Sequence, residues 1–253
     1  MPRIGVDLGG TKIEGIVLEA DGSIALRERL VTPAGDYLAT LAAVAGLVER
    51  LEERRGSRCS VGIGTPGSLS PASGRLRNAN STCLNDRPID VDLAARLARP
   101  VRIANDADCF ALSEASDGAA CGVSSMFGVI IGTGTGGGIV IDGKLLHGPN
   151  AIAGEWGHNP LPWPSDNERP GPPCYCGKQG CIETFLSGPG LSRDYAGDSR
   201  LSARTIVQRA AAGEPAAQAC LGLARLDAEQ GAGVEGDAEL SEEGLREHDR
   251  LVV

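Results

Sequence analysis

The chain has 253 residues, of which 42% are hydrophobic, 23% charged and only 3% aromatic, and its formal net charge is −9. This composition is typical of a globular protein with an aliphatic core, and the negative charge argues against nucleic acid or an anionic membrane as a partner. The N-terminal residues lack the pattern of a signal peptide, and no apolar run is long enough for a membrane span, so we predict a cytoplasmic protein.

The first part of the chain, residues 1–118, is predicted to be an α/β lobe. It opens with three alternating segments joined by tight turns, which predict an antiparallel meander, and it continues with helices and further strands. The predicted elements are, in chain order, strands in RIGVDLG, TKIEGIVLEADG and SIALRERLVT, a helix in YLATLAAVAGLVERLEERRG, a strand in CSVGIGTPG, a helix in DVDLAARLA, a strand in VRIAND and a helix in ADCFALSEASDGAA.

The second part, residues 119–226, repeats the opening pattern. The segment MFGVIIGTGTGGGIVIDGKLLHG predicts a strand, a glycine turn, a strand, a second turn and a strand. Residues 160–181 are rich in proline, glycine and cysteine and are predicted to form a loop, whereas later segments have helical patterns. The predicted helices run from Ser187 to Tyr195, from Ala203 to Ala212 and from Pro215 to Leu226. The repetition indicates an internal duplication with a cleft between the two lobes.

Each lobe contains a glycine-rich turn between two strands. In DLGGTK, adjacent glycines allow backbone amides to approach an anion, while Thr11 adds a hydroxyl group, Lys12 adds a positive charge and Asp7 stands where it could hold Mg²⁺ through water. GTGTGGG contains a G-x-G-x-x-G spelling, but a strand follows it instead of the helix that a dinucleotide-binding fingerprint opens. We therefore predict a two-sided phosphate clamp, with an ordinary hairpin turn as the alternative for the first turn. The predicted phosphate-binding residues are Asp7, Gly9, Gly10, Thr11, Lys12, Gly132, Thr133, Gly134, Thr135 and Gly136.

Three cysteines in the predicted loop have metal-ligand character. Cys174, Cys176 and Cys181 form a C-x-C-x₄-C pattern, and His158 lies sixteen residues upstream of the first cysteine. One histidine and three thiolates would make a closed, structural Zn²⁺ site, while free thiols in a turn or a redox pair remain alternatives. Such an ion would order the loop and bring together the two glutamates that flank it.

Asp106 is the candidate catalytic base. It follows a predicted strand in VRIAND, and ligand sites of doubly wound α/β folds lie at the carboxyl ends of strands. The alternative is that Asn105 or Asp106 merely caps the following helix.

Together, the segments DLGGTK, GTPGS, NANST, AND, GTGTGGG, GEWGHNPLPW and PCYCGKQGCIE resemble the ROK family of bacterial sugar kinases, and within it the fructokinases. The resemblance runs from Arg3 to about Leu226. It implies an α/β, actin/hexokinase-like (ribonuclease H-like) fold with two duplicated lobes. It also implies a homodimer that phosphorylates D-fructose to fructose 6-phosphate with ATP and Mg²⁺, with mannose, glucose or N-acetylglucosamine as alternative acceptors.

The resemblance also implies residue roles. Asp106 matches the base that takes the proton from the sugar hydroxyl, and His158 matches both a zinc ligand through one ring nitrogen and a sugar contact through the other. The residues expected to bind the sugar are Gly67, Thr82, Asn105, Asp106, Glu155, His158 and Glu183, and the expected zinc ligands are His158, Cys174, Cys176 and Cys181.

Two alternatives and one departure accompany this interpretation. ROK repressors carry an N-terminal helix-turn-helix, for which a first strand at Arg3 leaves no room. A sugar-binding regulator or pseudokinase stays open as the second interpretation, and a structural zinc protein is the third.

Chains of the family continue with a strand, a glycine-rich adenosine-binding turn and a closing helix, whereas residues 227–253 form an atypical tail with nine acidic residues and two arginines. We interpret this tail as a frameshift or truncation, with a divergent genuine terminus as the alternative, and expect weak or no ATP turnover.

Overall fold

A computed structural model of the chain describes residues 2–196, 201–222 and 250–252. It divides into two compact units, Met1–Cys109 with His147–Ile152 and Phe110–Leu146 with Ala153–Val253. The division falls inside a helix that ends at Asp117, whereas the sequence-based boundary follows residue 118, and the three-part domain scheme stays a prediction. Apart from residues 250–252, the tail beyond Asp227 lies outside the described residues.

The first unit is built on a five-stranded sheet in the order β3-β2-β1-β4-β7. The meander predicted from the alternating sequence is present as β1 (Arg3–Leu8), β2 (Lys12–Leu18) and β3 (Ile24–Val31). Alternate residues of β1 and β2 are buried, as expected for a sheet that packs one face on a core. Two further strands, β4 (Ser60–Thr65) and β7 (Val101–Asn105), extend the sheet in parallel, so their carboxyl ends lie at one edge.

Helices and a small ribbon complete this unit. The helices are α1 (Tyr37–Arg55), α2 (Ile89–Leu97) and α3 (Asp106–Asp117), and the ribbon pairs β5 (Ser68–Leu69) with β6 (Leu76–Arg77). The long helix α1 begins where the Asp36 side chain accepts a hydrogen bond from the amide of Ala39, and it ends at Gly56 in the left-handed conformation. The predicted order of strands and helices is therefore present.

The second unit opens with the second predicted meander. β8 (Ser125–Ile131), β9 (Thr135–Ile141) and β10 (Lys144–Leu145) form a sheet in the order β10-β9-β8-β11. Its last member, β11 (Arg250–Val252), pairs antiparallel with β8. This strand is a difference from the sequence interpretation, in which no strand was expected in the tail, because the pairing partner lies more than a hundred positions away and leaves no local pattern.

Short helices follow the predicted loop at 160–181. They are α4 (Ile182–Leu186), α5 (Gly188–Ala196) and α6 (Ala203–Ala211). Residues 215–222 of the last predicted helix are also helical, and its residues 223–226 lie outside the described part of the chain. The helix predicted from Ser187 is preceded by a separate one, because Ser187 has extended backbone angles and ends α4. Within the loop the structure has one 3₁₀ turn, Asp166–Glu168. Among the described residues, no helix is both long and apolar enough to cross a membrane.

A small core anchors both ends of that loop. Its members come from β8, from the chain just before the loop and from α4, and are Val129, Trp156, Leu161, Ile182 and Leu186. Burial of apolar side chains thus holds the loop ends. The loop itself, in which all five residues from 175 to 179 are exposed, has little apolar burial of its own.

Candidate functional site

The first glycine turn, between β1 and β2, is closed by a hydrogen bond of its own and held in place by Thr32, the residue after β3. The amide of Gly9 donates to the carbonyl of Lys12 at 3.0 Å, and the hydroxyl of Thr32 donates to the carbonyl of Gly9 at 2.7 Å. A Cβ atom on Gly9 would lie 2.9 Å from the Lys12 carbonyl oxygen, so the turn requires glycine at this position. Asp7 lies in β1 and Lys12 begins β2, one on each side of the turn.

A cavity of about 300 Å³ opens beside this turn. Residues 9–11 form one wall, and residues 32–35 and 80–84 form others. Thr82, which was expected to contact the sugar, therefore shares a cavity with the turn that was expected to bind phosphate. The other predicted sugar-binding residues of this unit do not line this cavity.

Asn105 caps α3 and also reaches the loop after β4. Its Oδ1 accepts from the amides of Ala107 at 2.8 Å and Asp108 at 3.2 Å, and its Nδ2 donates to the carbonyl of Gly67 at 3.0 Å. A Cβ on Gly67, whose φ is 77°, would lie 2.3 Å from the carbonyl oxygen of Arg77, so only glycine fits. The capping alternative thus holds for Asn105, and the structure brings it into contact with Gly67, while the sugar-binding roles of both residues stay predictions.

Asp106 is the first residue of α3, directly after β7. Its Oδ1 accepts a hydrogen bond from the amide of Ala107 at 2.9 Å. A second carboxylate follows at Asp108, whose pKa is raised by burial and by the charge of Asp106, although His147, 3.9 Å away, acts to lower it. Sequence reasoning missed Asp108 and His147, for which the repeated aspartate in NDAD was the available signal.

The second glycine turn, between β8 and β9, is tied to the segment after the cysteine loop. The amide of Thr135 donates to Oε2 of Glu183 at 2.8 Å, and the amide of Gly188 donates to the carbonyl of Gly132 at 2.7 Å. Within the turn, the Gly132 amide donates to the carbonyl of Gly134 at 2.8 Å. Two of the amides predicted to face phosphate, those of Gly132 and Thr135, are therefore engaged inside the protein. The amides of Thr133 and Gly134 are the remaining candidates among the first four residues of the turn.

The segment GEWGH lies against β9 because its glycines permit close backbone contact. A Cβ on Gly154 would lie 2.3 Å from the carbonyl oxygen of Gly137, and one on Gly157 would lie 2.1 Å from that of Thr135. Between them, the indole of Trp156 donates to the carbonyl of Gly136 at 2.8 Å. This contact fixes the 3₁₀ turn that carries Glu155 at its start and His158 at its end.

Four side chains of this unit form a metal-binding constellation. One ligand atom from each of His158, Cys174, Cys176 and Cys181 lies within 4.8 Å of the others. The Sγ atoms of Cys176 and Cys181 are 3.6 Å apart, and Sγ of Cys174 is 3.6 Å from Nδ1 of His158. Tetrahedral zinc with bonds of about 2.0–2.3 Å separates its ligand atoms by roughly 3.5–3.8 Å. The predicted ligands are therefore together, and their spacing and chemistry fit zinc.

The thiols of this cluster differ in acidity. Burial raises the pKa of Cys174 and raises that of Cys181 to about 12. Burial also acts to raise the pKa of Cys176, but a hydrogen bond from the backbone of Lys178 and the neighbouring thiols lower it. Because zinc binds thiolates, metal binding at this site must release protons from the two buried thiols.

Tyr175 connects the cluster to the predicted sugar-binding carboxylates. Its ring meets that of His158 edge-on, with the centroids 5.1 Å apart, and its hydroxyl lies 3.0 Å from Nε2. Although the Tyr175 side chain is exposed, partial removal of its hydroxyl from water raises its pKa, and the negative charges of Glu183 and Glu155 raise the pKa further. The sequence did not single out Tyr175, because the direction of its side chain depends on the folded loop.

The predicted site residues fall in both units. Gly67, Thr82, Asn105 and Asp106 lie in the first unit, and Glu155, His158 and Glu183 with the cysteine cluster lie in the second. Joint action of the two sets stays a prediction.

Comparison with known proteins assigns the chain to a family. The sequence pattern of the ROK family matches residues 3–232. An N-acetylgalactosamine kinase of Shewanella sp. (strain ANA-3) is 45% identical over 196 residues, which are 76% of this chain and 62% of that protein. An N-acetyl-D-glucosamine kinase of Erwinia tasmaniensis is 44% identical over 192 residues, which are 74% of this chain and 63% of that protein. The chain therefore spans less than two thirds of the length of these two relatives.

A solved structure shows the same fold. The ROK hexokinase of Thermus thermophilus is 35% identical and superposes with a TM-score of 0.71, covering 87% of this chain and 72% of that one. The predicted α/β fold of the actin/hexokinase-like class is thereby confirmed.

Proposed function

The chain belongs to the ROK family, and we propose that it is a sugar kinase that transfers the γ-phosphoryl group of ATP to a hydroxyl of a hexose. The observation that carries the proposal is the arrangement of the second unit. There Glu183, two residues after Cys181 of the metal-binding constellation, holds the second glycine turn through the amide of Thr135. The contact between the carboxylate of Glu183 and a glycine-rich turn is not needed for a purely structural zinc site, and it therefore favours an enzyme.

The proposed reaction uses Asp106 as the general base. Its carboxylate takes the proton of the attacking sugar hydroxyl while the new bond forms between the hydroxyl oxygen and the γ-phosphorus. The bond from the γ-phosphorus to the oxygen that bridges the β- and γ-phosphates breaks, and ADP leaves. The position of Asp106 after β7, with Asn105 fixed by three hydrogen bonds beside it, suits a base that must be held still.

The glycine turns and two metals have supporting roles. Backbone amides of both turns would position the phosphates, and Mg²⁺ bound with ATP would neutralise their charge, with Asp7 beside the first turn as the residue that would hold this ion through water. The constellation of His158 with three cysteines would hold Zn²⁺, which supplies structural order to the loop. Glu155, His158 and Glu183 would then hold hydroxyl groups of the sugar.

The acceptor is proposed from the relatives. Both curated relatives named above are kinases of N-acetylated amino sugars, which favours such an acceptor over the fructose expected from the sequence. Fructose stays the second candidate, since the sequence segments that together resemble the ROK family resemble its fructokinases in particular.

The test is an ADP-release assay on the full 253-residue chain with Mg²⁺-ATP and a matched series of acceptors. The series comprises N-acetylglucosamine, N-acetylgalactosamine, fructose, mannose and glucose. We expect one acceptor to dominate in kcat/KM, and ATP consumption without acceptor to stay at background. ADP release without any dependence on sugar, or no binding of any sugar of the series by zinc-loaded protein, would contradict the proposal.

Thermal unfolding of the same protein, measured with and without each sugar, distinguishes a kinase from a sugar-binding regulator. A regulator would be stabilised against heat by one of these sugars but would release no ADP. Weak or no ATP turnover, a cytoplasmic location and a homodimer stay predictions. The assay tests the turnover, and light scattering tests the homodimer.

A further inference from the structure

We propose that Glu183 couples the sugar site to the second glycine turn, so that binding of the hexose orders the backbone that receives the phosphates. This inference rests on the proposed function and adds a positioning role to a residue that was predicted only to bind sugar. One carboxylate would serve two partners: Oε2 holds the turn, and Oε1 accepts a hydrogen bond from a sugar hydroxyl.

The first observation is the hydrogen bond itself. Oε2 of Glu183 accepts from the amide of Thr135 at 2.8 Å, across 48 positions of sequence. Thr135 is buried, with 7% of its surface exposed. A carboxylate that accepts from a backbone amide is a charge-assisted contact, which is stronger than a neutral one and is weakly screened where water is excluded.

The second observation is that the turn has no room for a side chain at Gly134. A Cβ there would lie 2.6 Å from Oε2 of Glu183 and 3.4 Å from the carboxylate carbon. The backbone of the turn therefore passes directly beneath the carboxylate. Displacement of Glu183 therefore removes one of the contacts that hold the turn, and a side chain at residue 134 would displace the carboxylate.

The third observation is the short path from the metal-binding constellation. Cys181 precedes α4, and Glu183 is the second residue of that helix. Ser187 ends α4, and the next residue, Gly188, donates its amide to the carbonyl of Gly132. The turn is thus held at two points by a segment whose first residue is a metal ligand, so the carboxylate cannot move independently of the loop.

The consequence for phosphate binding follows from which amides are engaged. Because the Thr135 amide is engaged with Glu183, it serves to shape the turn, and the amides of Thr133 and Gly134 are left to point at an anion. Among the described residues, the hydrogen bond that holds the carboxylate of Glu183 is the one through Oε2. A sugar hydroxyl on Oε1 would immobilise the whole carboxylate and with it the turn, which lowers the entropic cost of binding phosphates next.

Two variants break the contact from opposite sides. Gly134→Ala leaves Glu183 intact but pushes its flexible carboxylate away, and Glu183→Asp leaves the turn intact but withdraws the carboxylate by one methylene. Two matched controls change the same chemistry elsewhere. Glu114→Gln alters a carboxylate that accepts from the amide of Ala119 at 2.9 Å, and Gly46→Ala adds a methyl group to α1, where only the end of the Arg50 side chain lies near.

The measurement is hydrogen exchange of peptides that cover residues 132–138, with and without a saturating concentration of the preferred sugar. In the wild type and both controls we expect the sugar to slow exchange in this turn by about tenfold, the size of a typical coupling between sites. In Gly134→Ala and Glu183→Asp we expect the sugar to leave the exchange rate of the turn unchanged. The affinity for a non-hydrolysable ATP analogue should rise with sugar in the wild type and stay constant in both variants.

Each contrary outcome has a distinct meaning. If the wild type binds sugar but exchange in the turn does not respond, the coupling is overturned and the proposed function stands. If the sugar slows exchange equally in both variants, the coupling runs through another contact and Glu183 is excluded. If no sugar of the series binds to zinc-loaded wild type, the proposed function fails and the coupling with it. Circular dichroism confirms that each variant is folded before exchange is measured.

Discussion

The Nε2 atom of His158 lies 3.0 Å from the phenolic oxygen of Tyr175. The other ring nitrogen, Nδ1, faces Sγ of Cys174 at 3.6 Å. The histidine thus presents one nitrogen to the metal-binding constellation and the other to a tyrosine, whereas the family resemblance assigned the second nitrogen to the sugar. If Nε2 of His158 binds the sugar as proposed, the Tyr175 hydroxyl competes with the sugar for this nitrogen.

Replacing Tyr175 with phenylalanine tests this competition. The variant keeps the ring that packs edge-on against His158 but removes the hydroxyl that competes for Nε2. Because a hydrogen bond of this kind contributes about 0.5–1.5 kcal/mol, we expect the dissociation constant of the sugar to fall by about twofold to tenfold. Zinc content should be unchanged. Titration calorimetry with the preferred sugar gives the affinity, and elemental analysis gives the zinc.

Tyr195→Phe is the matched control, since its hydroxyl donates to Glu214 in the helical part of the second unit, away from the cysteine loop. Weaker sugar binding in Tyr175→Phe, with Tyr195→Phe unchanged, would show that the Tyr175 hydroxyl contacts the sugar and does not compete with it.

Replacing Cys176 with serine tests the zinc site. Cys176 and Cys121 are both exposed cysteines, but only Cys176 belongs to the metal-binding constellation. We expect wild type and Cys121→Ser to hold about one zinc per chain and Cys176→Ser to hold little or none, because a structural site needs all four ligands. Limited proteolysis should then cut Cys176→Ser within residues 158–181, since the loop has little apolar burial to hold it. Equal zinc content in all three proteins would exclude Cys176 as a ligand.

Local patterns were sufficient to predict much of the fold. The meander β1–β3 follows from alternating apolar residues, and α1 follows from helical spacing that ends at Gly56. The four metal-binding residues were also predictable, because cysteine and histidine are few in the chain and their spacing suits a tetrahedral site. In each case the information lies within a short window or in rare residue types.

The contacts between distant segments were not predictable. The bond from Thr135 to Glu183 joins residues 48 positions apart, and neither residue type is unusual in its local sequence. The side chain of Tyr175 is oriented by the loop that surrounds it. The break at Ser187 depends on its own hydroxyl, which accepts from the amide of Gly190 at 3.2 Å and starts a new helix. Such features arise from packing, which a single sequence does not display.

Replacing Asp106 with asparagine tests the proposed base. The variant keeps the shape of the side chain and can still accept the hydrogen bond from Ala107, but it cannot take a proton. We expect kcat to fall by about 10²–10⁴-fold, as for loss of a general base, while the dissociation constant of the sugar changes little. Asp117→Asn, at the exposed end of the same helix, is the control and should keep full activity. Activity of Asp106→Asn near that of the wild type would remove Asp106 from the mechanism.

The first unit has a carboxylate that links its stability to pH. Glu52 on α1 binds Arg99 through two short contacts, of 2.6 and 2.7 Å, and also accepts from the amide of Cys59 at 2.6 Å. Both side chains of the pair are mostly buried, at 16% and 11% exposure. The guanidinium of Arg99 lowers the pKa of Glu52 below its ordinary value of 4.5, although burial acts in the opposite direction.

A depressed pKa in the folded state means that the stabilisation is complete above the unfolded value and is lost as the pH falls through the folded one. We therefore expect Glu52→Gln to cost about 1.5–3 kcal/mol of unfolding free energy near neutral pH, the contribution of hydrogen bonds to a charged group. The difference from wild type should shrink as the pH falls below about 4.5, because the wild type then also loses its charge. Urea titrations over this range measure the difference, with the exposed neighbour Glu53→Gln as the control. A difference that stayed constant down to the most acidic measurable pH would show that the charge of Glu52 does not stabilise the fold.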